Sequence, residues 1–167
     1  DLAGLHDPAS ALPGKVPDGE RVARWLGERG IGAQTRIVLY DDSDLRSACR
    51  AWVLLDLAGL GNIAVLDGGL AKWKAEGRPL ESGTPEIAAM DRPATTVRIT
   101  DIRDKAAMLA NLDDHREQVV DARDAGRFTG SVEDTVHGLP GGHIPGARHL
   151  FFRDVLAEDG TFRDPET

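Results

Sequence analysis

This chain of 167 residues contains a single cysteine, Cys49. One thiol cannot build an internal disulfide framework or a cysteine-rich zinc site, and such sparing use fits a reducing compartment such as the cytoplasm. Positive charge is also scarce: 20 Lys and Arg stand against 28 Asp and Glu, a net charge of −8. Nucleic acid and anionic membrane both reward a surplus of basic residues, so neither is expected as a partner. A local basic pocket for a small anion remains compatible with that balance. Long hydrophobic runs are missing too. The longest apolar region, Ala51 to Leu66, is interrupted by Asp56, Gly59, Gly61 and Asn62, which leaves it too short to span a bilayer. No internal repeat is evident. What is present is enough apolar content, 41% of residues, for one large domain or two small ones. The chain starts at Asp1 rather than Met and ends in Arg163-Asp164-Pro165-Glu166-Thr167 without completing an element, so it is expected to be a piece of a longer protein.

Asp1 to Pro17, with two glycines and three prolines, reads as a connecting loop. Asp18 then offers an N-cap, Val22, Trp25 and Leu26 follow at helical spacing, and Gly30 stands where a helix would stop. A strand is predicted at Arg36 to Tyr40. The polar loop Asp41-Asp42-Ser43-Asp44 leads into a helix whose apolar stripe is Leu45, Ala48, Cys49, Trp52 and Leu55, with Gly59 and Gly61 as stop signals. A second strand, Asn62 to Leu66, precedes Asp67-Gly68-Gly69 and a short helix through Leu70, Trp73 and Lys74 that Gly77 closes. Strand, helix, strand, helix in this order predicts a parallel α/β layer, because parallel strands need crossover connections. Glu81 to Thr95, with Pro85 and Pro93, reads as a linker. A new unit is predicted to open with a strand at Thr96 to Ile99. It continues through a helix carrying Ile102, Ala106, Leu109 and Leu112, and reaches a strand at Gln118 to Val120.

Four groups invite a chemical reading. The loop after Tyr40 joins a parallel strand to a helix, where backbone amides cradle anions, but Asp41, Asp42 and Asp44 fill it with negative charge and would repel a phosphate. Ser43 or Asp44 can simply cap the helix while Asp41 accepts from loop amides. Cys49 falls on the apolar stripe, where a cysteine behaves as a small hydrophobe rather than an activated thiolate. His137, His143 and His149 recur every six residues, a spacing that places no two on one helical face and lacks a completing ligand, so no metal is expected. His143 is expected to order the Gly142 to Ala147 turn by hydrogen bonding, with His137 and His149 exposed. Arg127 follows a strand's carboxyl end, where open α/β sheets bind ligands, and a guanidinium there suits a sulfonate or carboxylate. A surface ion pair with Asp121 or Asp124 is the competing reading.

Three motifs share one stretch: Val120-Asp121-Ala122-Arg123, Gly126-Arg127-Phe128-Thr129-Gly130, and Gly142-His143-Ile144-Pro145-Gly146-Ala147. In order and spacing they resemble the opening half of a rhodanese domain. Ile37-Val38-Leu39-Tyr40, the polar loop, the following helix and Ala64-Val65-Leu66-Asp67-Gly68-Gly69-Leu70-Ala71-Lys72-Trp73 resemble the closing half of another. The resemblance implies an α/β fold with a rhodanese-like parallel sheet flanked by helices, in two incomplete domains joined by a linker. Residues 1–80 would be the closing half of an inactive first domain, 81–95 the linker and 96–167 the opening half of the second, as in tandem thiosulfate and 3-mercaptopyruvate sulfurtransferases. Leu139, where single-domain members often carry an aromatic, is similar to the tandem type. The two pieces are complementary rather than equivalent, which accounts for the missing repeat.

Where an active rhodanese domain has its loop cysteine, this chain has Asp41, with Asp44 at the glycine position and Arg46 keeping the arginine. The nucleophile is therefore expected outside these residues, and the catalytic set within them is empty. Arg127 matches an arginine that contacts substrate in mercaptopyruvate-type members. A second arginine expected nine positions later is replaced by Val136, which leaves thiosulfate open as donor. The resemblance implies double displacement through a cysteine persulfide, from a small anionic sulfur donor to a thiophile such as cyanide, with no cofactor. The alternative is a non-catalytic binding or regulatory module in which the Asp-containing loop is itself the functional feature. Nothing in these residues specifies an oligomeric state.

Overall fold

A computed structural model describes the chain except residues 1, 3, 12–13, 44–45, 134, 136–137, 139 and 165–167. Its residues form two compact units, Asp1–Ile102 and Arg103–Thr167.

In the first unit, helix α1 spans Gly19–Gly27 and is capped as its sequence requires: the Arg21 amide donates to Asp18 Oδ1 at 2.8 Å. Gly30 ends the turn beyond it with φ +68°, a left-handed conformation that glycine adopts without steric cost. Strand β1 (Ile37–Leu39) pairs in parallel with β2 (Ile63–Val65), in the register Ile37 to Ile63, Val38 to Ala64 and Leu39 to Val65. Helix α2 (Arg46–Leu57) makes the crossover between them, and α3 (Gly69–Ala75) follows β2. The core gathers Leu5, Val22, Leu26, Ile37, Leu54, Leu55 and Ala58.

The buried face of α2 is Ala48, Ala51, Leu54, Leu55 and Leu57. This corrects the predicted stripe: Trp52 is 38% exposed and Cys49 only half-buried, while Leu45 lies outside the described residues. One buried residue per turn satisfies several helical phases in so apolar a segment. Packing against α1 and the sheet selects the phase with two adjacent leucines inside.

Residues 81–98 contain no helix or strand. They are tied to the first unit: the Met90 amide donates to the Gly27 carbonyl at 3.1 Å, and Thr95 Oγ1 donates to the Gly19 carbonyl. A side chain on Gly19 would bring its Cβ within 2.5 Å of the Thr95 carbonyl oxygen, so glycine is needed at this contact. The predicted strand at Thr96 to Ile99 does not form; a 3-10 turn at Ile99–Asp101 stands there instead. Arg98 is the physical reason. Its guanidinium donates to the Asp56 carbonyl at 2.7 Å, to Asp56 Oδ2 at 2.6 Å and to Asp101 Oδ2 at 2.9 Å, while its amide donates to the Leu57 carbonyl. These bonds commit the backbone to the end of α2 rather than to a sheet.

In the second unit, α4 (Lys105–Asp114) is capped by Asp104 and ends at His115, with φ 50°. Asn111, the one buried polar residue among those described, exchanges two 2.8 Å hydrogen bonds with the Glu117 backbone and closes the turn into strand β3 (Val120–Asp121). Strand β3 pairs in parallel with β4 (Arg148–His149), and between them lies α5 (Ala125–Thr129). The expected apolar stripe of α4 meets no core among the described residues: Leu109 is 54% exposed, and Ile102 falls before the helix.

Candidate functional site

In each unit the loop between the first strand of the sheet and the helix that follows it lies where such sheets handle ligands. In the first unit that loop follows β1, and its centre is Asp41. Oδ1 accepts from the Ser43 amide at 3.1 Å, and Oδ2 accepts from the Ala48 amide at 2.8 Å and from Ser47 Oγ at 2.6 Å. The anion cradle at the start of α2 is therefore built and filled by the chain's own carboxylate. Asp41 thereby satisfies an amide of the first turn of α2; Asp44 lies outside the described residues. Burial pushes the Asp41 carboxyl up, and the hydrogen bonds from Ser47 and from the Ala48 and Ser43 amides together outweigh that, so it titrates below the ordinary carboxylate range. Cys49 sits beside this charge. Burial first, and the Asp41 carboxylate second, push its thiol up, the opposite of what a nucleophile needs.

In the second unit the residues of the three motifs interlock. Arg123 donates from Nε and Nη2 to both oxygens of Asp121, at 2.6–3.1 Å, and from Nη2 to the Gly142 carbonyl at 2.5 Å. The Gly142 amide donates to the Arg127 carbonyl at 2.8 Å, stitching the glycine turn to α5. His143 Nδ1 lies 2.8 Å from the Phe128 carbonyl and His149 Nε2 lies 2.7 Å from that of Arg123. A carbonyl only accepts, so each of these ring nitrogens carries a proton. The Phe128 ring stacks on both imidazoles, at 3.9 Å from His143 and 4.7 Å from His149. His143 thus orders its turn as expected. His149, although exposed, has the same kind of role, and His137 lies outside the described residues.

Arg127 projects from α5. Asp124 is the N-cap of that helix: Oδ1 accepts from the Arg127 amide at 3.0 Å and Oδ2 accepts from Arg127 Nε at 2.5 Å. The Arg127 side chain is 23% exposed. Of the two acids considered as its partner, Asp124 is the one engaged, because Asp121 is bound to Arg123. The double role of Asp124 was not singled out from the sequence. Its signal is an Asp three residues before an Arg at a strand exit, a spacing that lets one carboxylate cap the helix and reach the guanidinium. Val136 and Leu139 lie outside the described residues.

The Arg123 hydrogen bonds hold the Asp121 carboxyl below its usual range, against a smaller opposing effect of burial. Asp41 and Asp121 both have depressed folded-state values, so the stability they contribute is complete above their unfolded range near about pH 4 and is lost as pH falls through the lower folded values. An Asp121→Asn variant is accordingly expected to be less stable than the parent at pH 7 and to converge with it as pH approaches about 2. Thermal melts across that range check this; a stability gap that stayed constant would refute it.

The architecture and these loops define a class: a parallel α/β protein whose strand-to-helix loops are closed by side-chain hydrogen bonds, the first of them around the Asp41 carboxylate. Residues 9–76 match the model of the rhodanese-like domain. The chain is 36% identical to human 3-mercaptopyruvate sulfurtransferase, over 99% of this chain and 56% of that protein. It is 34% identical to the Escherichia coli K12 3-mercaptopyruvate sulfurtransferase, over 95% and 56%, and 33% identical to mouse thiosulfate sulfurtransferase, over 99% and 57%. The chain thus spans somewhat over half the length of these relatives. The crystal structure of SseA from Escherichia coli, a 3-mercaptopyruvate sulfotransferase, superposes with a TM-score of 0.78 at 28% identity, covering 99% of this chain and 61% of that one. Residues 9–76 thus carry a rhodanese-like domain match, and the similarity to sulfurtransferases, at 33–36% identity, extends along nearly the whole chain. No helix among the described residues is long and apolar enough to cross a membrane.

Proposed function

We propose that this chain is the donor-holding part of a cytoplasmic sulfurtransferase and does not itself carry the nucleophile. Residues 1–80 serve as the closing half of an inactive first domain, and 96–167 open the second. The observation that carries this reading is Asp41, whose carboxylate occupies the position and the hydrogen bonds that a loop thiolate would need. Similarity over nearly the whole chain to 3-mercaptopyruvate and thiosulfate sulfurtransferases supports the reaction class. In that reaction a cysteine thiolate outside these residues attacks the outer sulfur of thiosulfate. The S–S bond breaks, sulfite leaves with the electron pair, and a persulfide remains. Cyanide then attacks the terminal sulfur, thiocyanate departs and the thiolate is restored. With 3-mercaptopyruvate the C–S bond breaks instead, and the thiol proton passes to the departing carbon, which becomes the methyl group of pyruvate. The role of Arg127 is to hold the donor's leaving anion through charge-assisted hydrogen bonds.

Two measurements on the 167-residue chain test this. Incubated with thiosulfate and cyanide, it is expected to form no thiocyanate above the uncatalysed rate; turnover that Cys49→Ser abolished would show that the nucleophile is within it. Thiosulfate binding is expected to weaken about 10- to 100-fold in Arg127→Gln, the range of one lost charge-assisted interaction. Binding indifferent to that change would favour a module whose function resides elsewhere.

A further inference from the structure

The loop after β1 borders a cavity of about 530 Å³, within the range of roughly 300–1,000 Å³ that small-molecule sites occupy. It lies at the carboxyl end of the strand, where parallel sheets bind ligands. Trp25 and Tyr40 supply its aromatic wall, Leu39 and Ala51 an apolar one, and Asp41 and Asp42 its charge. Among the described residues no Lys, Arg or His lines it. Arg29 stacks over Trp25 at 4.1 Å but is not part of the lining, so the indole meets the cavity by surface that Arg29 leaves uncovered.

We propose that this cavity binds a small organic cation of the quaternary ammonium type. Aromatic faces attract such a cation through the ring quadrupole, and the two carboxylates set the sign of the charge it must carry. The hydrogen bonds of Asp41 select the type. Its carboxylate accepts from the Ser43 and Ala48 amides and the Ser47 hydroxyl, with the Ser47 amide as a further donor, which fills the roughly four acceptor sites of a carboxylate. Asp41 therefore offers a ligand its charge and no hydrogen bond. A primary ammonium would surrender bonds to water that this wall does not replace, whereas a quaternary ammonium has none to surrender. Burial opposes the ionisation of Asp41, but its hydrogen bonds outweigh that, so the charge is present at neutral pH. The amino end of α2 offsets part of it, which leaves the exposed Asp42 as the larger source of net charge. The site involves no residue of the second unit and stands whether or not Arg127 holds a donor.

The test is an NMR titration of the 15N-labelled 167-residue chain at pH 7 and matched ionic strength, following the Trp25 indole and Ala51 amide signals. The probes are choline, ethanolamine as the primary ammonium, and dimethylbutanol, in which carbon replaces the choline nitrogen. Choline is expected to give saturable shifts, with affinity at least about ten-fold above that of the neutral isostere and about three-fold or more above that of ethanolamine. Asp42→Asn and Tyr40→Leu alter exposed side chains. Each is expected to weaken choline binding by about three- to ten-fold with the amide dispersion of the folded chain retained. Equal affinity for choline and its isostere would show a cavity indifferent to charge and refute the proposal. Choline shifts that do not saturate, or that neither variant weakens, would refute it as well.

Discussion

Asp41→Cys is expected to give a thiol that ionises below an ordinary cysteine, from about 8.5 down toward 7 or less, and at pH 7 to be alkylated by iodoacetamide at least about ten times faster than Cys49. The cradle that receives it is already assembled. The Ser43 and Ala48 amides and the Ser47 hydroxyl converge on the Asp41 carboxylate, and the start of α2 adds the positive end of a helix. A thiolate there inherits donors that no longer have a carboxylate to serve. Asp42 opposes the effect with a neighbouring negative charge, but it lies outside the hydrogen-bonded cradle and is exposed to solvent, which screens it. Cys49 is the internal reference, since burial holds its thiol up. Mass-spectrometric alkylation of the Asp41→Cys chain against pH, with the two cysteine-containing peptides resolved, measures the new thiol and Cys49 side by side. A value at or above that of free cysteine would mean that the loop collapses without its carboxylate and holds no anion of its own.

Leu54→Ala is expected to destabilise the first unit by about 3 kcal/mol, the middle of the range for emptying a buried leucine site, whereas Trp52→Ala should cost less than about 1 kcal/mol. The two residues lie two positions apart on α2, and residue size alone would assign the larger loss to tryptophan. Leu54 is 2% exposed and belongs to the cluster formed with Val22, Leu26, Ile37 and Leu55, so its removal leaves a cavity among side chains fixed by both helices and the sheet. Trp52, 38% exposed, lies outside that cluster. Urea unfolding followed by circular dichroism, which needs no tryptophan signal, gives both values. If Trp52→Ala proved the costlier change, the phase of α2 described above would be wrong.

What local chemistry specifies was legible. Asp18, Gly30, Gly59 and Gly77 mark the ends of helices through capping and left-handed turns, interactions spanning a few residues that need no partner from elsewhere in the fold. The alternation of short apolar strands with helices implied parallel pairing, and both sheets are parallel. The motifs around Asp121, Arg127 and His143 carried the rhodanese resemblance because each is a contiguous run with fixed spacing.

The remaining features depended on contacts between distant residues. Arg98 reads as an ordinary basic residue until its guanidinium meets Asp56, 42 positions earlier, and that meeting replaces a strand with a 3-10 turn. The phase of α2 was set by which face the first helix and the sheet could cover, a choice its own apolar composition left open. Asp41 showed as a misplaced charge in an anion loop, but only the folded loop showed it to be the anion that the loop holds. By itself the sequence determined the rhodanese resemblance, the parallel α/β grammar and the aspartate at position 41, because these reside in residue identity and short-range spacing. The tertiary structure alone decided which side of α2 is core, that Asp121 belongs to Arg123 and that Asp124 belongs to Arg127, because burial and the partner choice of a charge depend on where the folded chain brings surfaces together.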